Sequence, residues 1–190
     1  RRHDLAGYVS LPMGIMTLAE RHGNDIFTDA GYRGIVDGIV SILRGFDDIH
    51  CITREIARGN VMLLGTSGTV TTLASLAQGQ GRYERAGIDG SRLSVPQALA
   101  MIDSLRGAGM AGLVRNPVIG PDRARYLLPG CAIFEAIVTT WPMMNVTVAD
   151  RGLRDGLLLR MIGDRGRHGG PAPTPLSFPL HRHMEHRVSP

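Results

Sequence analysis

The 190-residue chain contains no lysine, although its 21 basic residues exceed its 17 acidic ones. A phosphate-binding loop of the Walker type needs a lysine at a fixed place after its glycines. That class of nucleotide-binding site is therefore excluded within these residues.

Cysteine is also scarce, since Cys51 and Cys131 are the only two thiols. Two cysteines are too few for a disulfide scaffold, and they lack the spacing of metal ligands. Both lie in apolar helical runs, so we expect two buried thiols.

Long apolar runs are missing as well. No stretch approaches the roughly 18 to 20 residues of a membrane span, and no signal peptide pattern opens the chain. We therefore expect a cytoplasmic protein without a membrane partner. The first residue is Arg1 rather than methionine, which favours a chain cut from something longer.

The net charge of +4 is unevenly spread, because residues 165–190 carry most of it and residues 1–164 are nearly neutral. This argues against a specific nucleic-acid partner. Residues 165–190 are rich in proline, glycine and histidine, and we expect a flexible tail. Its His181, His183 and His186 only superficially resemble a metal site, because such a tail would not fix ligand geometry.

The central stretch, Val61–Ala77, reads as strand, loop and helix. Its first four apolar residues predict a strand buried on both faces. The loop Gly65–Thr69 holds two glycines and three hydroxyl residues, followed by apolar residues with helical spacing. Its glycines and helix start could bring bare N–H groups to an anion. The alternative is a tight turn capped by Thr69, without a ligand.

Around this stretch, the pattern predicts an α/β layered domain with parallel neighbouring strands where a helix crosses over. Leu5–Leu18 favours one bent strand or two short ones, and Ala19–Phe27 a polar connection. Helices are then expected from an N-cap at Asp29 and over Asp48–Ala57. Gln78–Leu93 has an irregular pattern.

The second half predicts a helix that starts at Ser94 and ends at Gly107, then a short helix over Met110–Arg115. Pro121–Trp141 is typical of a helix broken at Pro129-Gly130. Asn145–Ala149 alternates as a strand should. A last helix follows, with apolar residues spaced for burial: Leu153, Leu157, Leu158 and Met161.

No pair of catalytic side chains is evident. The adjacent acids Asp47 and Asp48 favour a solvated surface. Two interpretations fit the charged stretch Asp150–Asp155. One is a helix cap with local ion pairs, and the other places Arg151 at a strand end, facing the same cleft as the Gly65 loop.

Three separated stretches, Gly65–Ala74, Asp122–Ile137 and Val146–Leu158, resemble the C-terminal half of the Ppx/GppA family of exopolyphosphatases and guanosine pentaphosphate phosphatases. They occur in the same order and at similar spacing. Ser10–Gly14 also resembles the segment that follows the family's second phosphate motif. The resemblance covers about residues 6–163.

This resemblance implies a ribonuclease H-like lobe of the actin-like ATPase and sugar kinase superfamily, here residues 1–164. It implies terminal phosphate removal from polyphosphate or guanosine pentaphosphate, with Mg²⁺ and a carboxylate that activates water. The phosphate motifs and the catalytic glutamate of the family's first half have no counterpart here. Neither Glu20 nor Glu135 is assigned as the catalytic carboxylate. The chain would then be inactive without its missing N-terminal lobe.

For the site itself, the resemblance implies substrate contacts from a short set of residues: Gly65, Thr66, Ser67, Gly68, Thr69 and Arg151. Two other functions stay open at this point. One is a module that binds guanosine tetraphosphate or a similar nucleotide without hydrolysis. The other is a structural lobe that forms a homodimer through the apolar stripe of Ile133–Trp141.

Overall fold

The computed structural model describes residues 7–165. The chain divides into two units, Arg1–Leu153 and Arg154–Pro190. The fold and the candidate site lie in the first unit. Residues 166–190, including the three histidines with metal-like spacing, lie outside the described residues, so the predicted tail stays a prediction.

Three strands form a small mixed sheet in the order β1-β3-β2, accompanied by helices. The strands are β1 (Leu63–Gly65), β2 (Arg92–Ser94) and β3 (Asn145–Val148). The helices are α1 (Ile15–His22), α2 (Asp29–His50), α3 (Ile52–Ala57), α4 (Gly68–Ala77), α5 (Val95–Arg115), α6 (Gly120–Thr140) and α7 (Leu153–Arg165). Short 3₁₀ turns cover Gly23–Phe27 and Arg85–Gly87.

The central strand β3 pairs in parallel with β1, placing Leu64 opposite Thr147. This confirms the predicted parallel pairing across a helical crossover for β1 and β3, but the prediction fails for β2, which α5 and α6 also connect to β3. On its other side β3 pairs antiparallel with β2, placing Leu93 opposite Val146. β2 comes from the end of the segment that had an irregular sequence pattern.

The core lies between one face of the sheet and the helices. Leu93, Val146 and Val148 are almost fully buried on that face. α6 is the central helix, because it packs against α1, α2, α4 and α5. Its position brings its first turns next to the start of α4, where the glycine loop lies.

Burial of β1 on both faces is a prediction that the structure contradicts. Leu64 is 52% exposed and Met62, just before the strand, is 70% exposed. The reason is that β1 is an edge strand of three residues, and within residues 7–165 nothing covers its outer face.

The N-terminal segment forms no strand within residues 7–18: residues 7–14 have no regular secondary structure, and α1 begins at Ile15. Ile15, Leu18, Ala19 and His22 follow helical spacing, and Leu18 and Ala19 are buried. A short apolar run cannot by itself distinguish a strand from a buried helix. The predicted polar connection over Ala19–Phe27 is also wrong, because the end of α1 and a 3₁₀ turn occupy it.

α2 is longer than predicted and begins with a different cap. Thr28, not Asp29, accepts the capping hydrogen bond, from the N–H of Gly31 at 3.1 Å. The helix ends where Cys51 adopts a left-handed conformation with φ 53°, so the helical piece expected from Asp48 belongs to two helices. Cys51 is half-buried, contrary to expectation, whereas Cys131 is buried as predicted.

The later helices differ from expectation mainly in their breaks. α5 has its kink at Gly109, with φ 64°, rather than an end at Gly107. α6 continues through Pro129 without interruption, since its surroundings are buried on all sides. In α7 the apolar residues expected to be buried are exposed: Leu153, Leu157, Leu158 and Met161. No helix within residues 7–165 is long and apolar enough to cross a bilayer.

Candidate anion-binding site

The glycine loop lies at the carboxyl edge of the sheet. Gly65 ends β1, and its carbonyl oxygen accepts a hydrogen bond from the N–H of Ala149 at 2.8 Å. The loop and the residues after β3 therefore share one edge, because parallel strands end on the same side. Ligands of open α/β sheets bind at this kind of edge.

Ser67 caps α4, rather than Thr69. Its Oγ accepts a hydrogen bond from the N–H of Val70 at 3.2 Å, and its carbonyl oxygen accepts one from the N–H of Thr71 at 3.1 Å. Among residues 7–165, the N–H groups of Gly68 and Thr69 have no acceptor. A helix start with two such donors attracts an anion, because the donors and the helix dipole act together.

The start of α4 is held against α6 by a close contact at Gly130. A Cβ at this position would overlap Thr69 Oγ1 and would lie 3.0 Å from Thr69 Cβ and 3.1 Å from Cγ2. Thr69 is correspondingly 9% exposed. Its side chain therefore fixes the loop to α6, while its backbone N–H remains available to a ligand.

A cavity of about 260 Å³ opens beside the loop. Its lining comes from the start of α1, the start of α4 and the first turns of α6: Ile15, Ser67, Gly68, Thr69, Thr72, Asp122, Arg123, Tyr126 and Leu127. Three of the predicted site residues thus line one cavity. Gly65 and Thr66 are in the same loop but do not line it.

Arg123 supplies the positive charge of this cavity, and sequence reasoning did not single it out. Its guanidinium donates to Thr72 Oγ1 at 3.4 Å and lies 5.3 Å from the centre of the Tyr83 ring. These contacts hold the cation beside the N-terminal turns of α4. Arg123 belongs to the Asp122–Ile137 stretch, which carries part of the family resemblance. Its position beside the cavity depends on the packing of α6 on α4, so the sequence alone did not indicate it.

Arg151 lies at the end of β3, as predicted, and takes part in a chain of ion pairs. Its Nε donates to Asp89 Oδ2 at 2.8 Å, and the N–H of Asp150 donates to Asp89 Oδ1 at 3.0 Å. These hydrogen bonds hold the pKa of Asp89 below its usual value, and the bond from Arg151 has the largest effect. Arg85 pairs in turn with Asp150 at 2.9 Å.

This geometry confirms the local ion pairs of the first interpretation, whereas the cap by Asp150 and the cleft-facing Arg151 stay predictions. The ion pairs fix the turn after β3, while Arg151 stays at the edge where the loop lies. Arg151 is not among the residues that line the cavity. Its contact with a substrate therefore remains a prediction.

The carboxylates of the described chain do not form a metal centre. No group of three or more His, Cys, Asp or Glu side chains within residues 7–165 could hold a metal ion. Asp122 is the one acid that lines the cavity. Neither Glu20 nor Glu135 does so.

Asp47 has a structural role in place of the predicted solvated one. The N–H of Thr53 and the indole N–H of Trp141 donate to its Oδ1 at 2.8 and 2.9 Å. These hydrogen bonds, those from Thr53 first, lower its pKa. Asp48 is exposed, as predicted.

The apolar stripe predicted as a dimer face packs largely inside this unit. Phe134 and Val138 are buried, while Ile133, Ile137 and Trp141 are half-buried against the core. The stripe is therefore used in folding the chain, and a homodimer would need another surface.

Comparison with known proteins assigns this chain to a phosphatase family. Residues 1–165 match the model of the Ppx/GppA phosphatase family. The chain belongs to that family, as its three sequence stretches indicated.

Among curated proteins, a guanosine-5′-triphosphate,3′-diphosphate pyrophosphatase of Aeromonas salmonicida is 27% identical over 158 residues, covering 82% of this chain and 29% of that protein. Among solved structures, a Ppx/GppA family member from Aquifex aeolicus shares the fold with a TM-score of 0.67 at 22% identity, covering 84% of this chain and 49% of its own. An exopolyphosphatase from Cytophaga hutchinsonii matches at 18% identity with a TM-score of 0.61, over 81% of this chain and 49% of its own. The chain thus spans about half the length of these structures.

Proposed function

We propose that this chain is the second, ribonuclease H-like lobe of a phosphohydrolase that releases terminal phosphate from inorganic polyphosphate or guanosine pentaphosphate. The observation that carries the proposal is the pair of acceptor-free N–H groups at Gly68 and Thr69, beside a cavity that holds Arg123. The activities for which the relatives are named, guanosine pentaphosphate hydrolysis and exopolyphosphatase activity, support this substrate class.

In this proposal the loop contacts phosphate mainly through its backbone. Gly68 and Thr69 donate their N–H groups, and Arg123 offers a guanidinium that can bind two phosphate oxygens. The hydroxyl of Ser67 is occupied as the helix cap. Thr66 is exposed at the loop tip, where its hydroxyl can form a hydrogen bond with a hydroxyl of a ligand ribose. Arg151 would add a second cation at the sheet edge.

Within residues 7–165 no three His, Cys, Asp or Glu side chains come together as a metal site, and Asp122 is the one carboxylate beside the cavity. We therefore assign Mg²⁺, the water-activating carboxylate and the first phosphate motifs to an N-terminal lobe that this chain lacks. In-line attack on phosphorus needs these groups around one centre. The chain alone is then inactive, and the complete enzyme acts in the cytoplasm and can form a homodimer through a surface other than the Ile133–Trp141 stripe.

The test compares phosphate release by this chain and by the same chain extended through its upstream coding region. Both are given long-chain polyphosphate or guanosine pentaphosphate, with and without Mg²⁺. We expect release by the extended protein only, and the ratio of the two rates identifies the substrate. Turnover by the 190-residue chain would refute its inactivity.

A folded extended protein that binds guanosine tetraphosphate but releases no phosphate from either substrate would refute hydrolysis. It would favour the non-hydrolytic binding module. Arg123→Gln in the extended protein tests whether hydrolysis depends on this site. The substitution keeps much of the length and the polarity of the side chain but removes its charge. We expect about a hundredfold loss of kcat/KM, because a charge-assisted contact to phosphate is lost.

A further inference from the structure

A second cavity, of about 370 Å³, lies beside α6. Its lining comes from the second half of α1, the 3₁₀ turn that follows it, α5 and α6. It shares no lining residue with the cavity beside the glycine loop. The first unit therefore has two separate cavities along one helix.

The two cavities use different faces of α6. Ala124 and Leu128 form one row of that helix, and Arg125 and Pro129 form the next, because residues four apart lie one above the other. These two rows line the second cavity, whereas the other rows of the same turns line the first. A ligand in the second cavity would therefore need no contact with the anion site.

The floor of the second cavity is apolar. Ile26 and Leu128 are almost fully buried in its lining, and the half-buried Phe27 adds an aromatic ring. Met110 directly follows the break of α5 at Gly109 and is exposed. A methionine side chain is flexible, so this part of the wall can adapt to the shape of a ligand. The interior therefore fits an apolar body.

Two polar side chains of the lining have no hydrogen-bond partner among residues 7–165. Arg125 is exposed, and its guanidinium lies 5.8 Å from the centre of the Tyr126 ring without an ion pair to any described residue. The exposed side chain of Asn24 also makes no hydrogen bond within the described chain. None of the described lining residues is acidic. The cavity thus combines an apolar interior with one uncompensated cation and one amide.

We propose that this cavity binds a small amphipathic carboxylate such as a medium-chain fatty acid. Arg125 and the side-chain amide of Asn24 bind the carboxylate. The hydrocarbon body lies against Ile26, Leu128 and Met110. This site is distinct from the anion site at the glycine loop, and it does not depend on the proposed function.

The chemistry of the lining favours a carboxylate over other head groups. A guanidinium matches a carboxylate because its parallel N–H groups bind both oxygens at once. A phosphate monoester carries nearly two charges, of which one would lie uncompensated beside the apolar wall. A neutral head group would gain nothing from the charge of Arg125. The volume of about 370 Å³ lies within the roughly 300–1,000 Å³ of small-molecule sites.

The test measures binding of straight-chain carboxylates, from butanoate to decanoate, to the 190-residue chain by calorimetry. Each buried CH₂ group should tighten binding about fourfold until the chain fills the cavity. The 1-alkanols of the same lengths have the same apolar body without the charge. We expect octanol to bind at least about tenfold more weakly than octanoate, because the charge-assisted contact to Arg125 is missing.

Arg125→Gln should weaken octanoate by about ten- to a hundredfold and leave octanol unchanged, since only the charge is removed. A folding defect would weaken both ligands, so the difference between them isolates the head-group contact. Met110→Ala enlarges the apolar part and should move the tightest-binding carboxylate to a longer chain. Arg44→Gln, at an exposed position of α2 outside the lining, is the matched control and should leave every affinity unchanged.

No carboxylate binding, an affinity that does not rise with chain length, or equal affinity for octanoate and octanol would overturn this site. A ¹H–¹⁵N correlation spectrum locates the ligand, because octanoate should shift the side-chain NH₂ of Asn24 and the amide of Leu128. Shifts at Gly68 and Thr69 in their place would put the carboxylate in the anion site and would also overturn the proposal. Failure of this site leaves the proposed function standing, because the two cavities share no lining residue.

Discussion

Gly130 allows α6 to lie against the start of α4, and Gly130→Ala tests how closely the candidate site depends on that contact. The added methyl group would overlap Thr69 Oγ1. Rotation of the Thr69 side chain cannot relieve the overlap, because its Cβ and Cγ2 are also within 3.0 and 3.1 Å of the new atom. Either α6 or the loop must therefore move.

The expected magnitude combines two opposing effects. Overpacking of a well-packed contact costs about 1–3 kcal/mol, whereas alanine in a helix interior gains about 0.5–1 kcal/mol over glycine. We therefore expect a net loss of about 0.5–2 kcal/mol in the free energy of unfolding. For a chain of this size that lowers Tm by roughly 1–8 °C.

Urea denaturation of four proteins measures this effect: wild type, Gly130→Ala, Thr69→Ala and the double variant. Thr69→Ala removes the two outer atoms that Gly130→Ala would crowd, so the double variant should be about 1 kcal/mol more stable than the sum of the single changes predicts. Gly38→Ala, on α2 with open space around it, is the control and should be stabilising by about 0.5–1 kcal/mol. Additive behaviour of Gly130→Ala and Thr69→Ala would refute the contact.

Three further predictions follow from other positions. Cys51→Gly should raise the free energy of unfolding by about 0.5–1 kcal/mol in urea denaturation, because Cys51 has a left-handed backbone that costs a non-glycine residue about 1–2 kcal/mol. Tyr32→Phe should change it by less than about 1 kcal/mol, since within residues 7–165 the buried Tyr32 hydroxyl makes no hydrogen bond, although it lies near the Glu135 carboxylate; a larger loss would reveal a hydrogen bond to Glu135. Asp89→Asn should be destabilising at pH 6 and less so at pH 2. The pKa of Asp89 is lowered in the fold, so its contribution is present above the unfolded value near 3.9 and lost as pH falls through the folded value. An equal loss at both pH values would contradict this.

The loop and its neighbours could be predicted because their signals are local. Gly65 and Gly68 mark the turn, and the apolar spacing after Gly68 defines α4. β3 was also correctly placed, because the alternation in Asn145–Val148 is clear and turn-forming residues follow it. The parallel pairing of β1 with β3 followed from the helical crossover.

The remaining errors arose where tertiary contacts decide the outcome. The run around Ile15 is apolar enough for a strand, but packing of α1 on α6 makes it a helix. The exposure of Leu64 depends on whether another element packs on its face of the sheet, which its own sequence does not encode. In α6, Pro129 removes one helix hydrogen bond, yet the packed surroundings of the helix outweigh that loss.

In the candidate site, too, local features could be predicted from the sequence and tertiary contacts could not. The backbone donors of Gly68 and Thr69 follow from the glycine pattern, so sequence reasoning found them. Arg123 and Asp122 lie far along the chain, and only the approach of α6 to α4 brings them to the cavity. The Gly130 contact with Thr69, which permits that approach, has no local signal other than a glycine inside a helix.

The most direct test of the anion site is a ¹H–¹⁵N correlation spectrum of the 190-residue chain, titrated with guanosine tetraphosphate. We predict that the backbone amides of Gly68 and Thr69 and the side-chain Nε–H of Arg123 shift together and saturate at one ligand concentration. The N–H of Val70, which is bonded to Ser67, should shift less. Saturable binding that leaves Gly68 and Thr69 unchanged, with shifts confined to residues 166–190, would contradict a phosphate site at the start of α4.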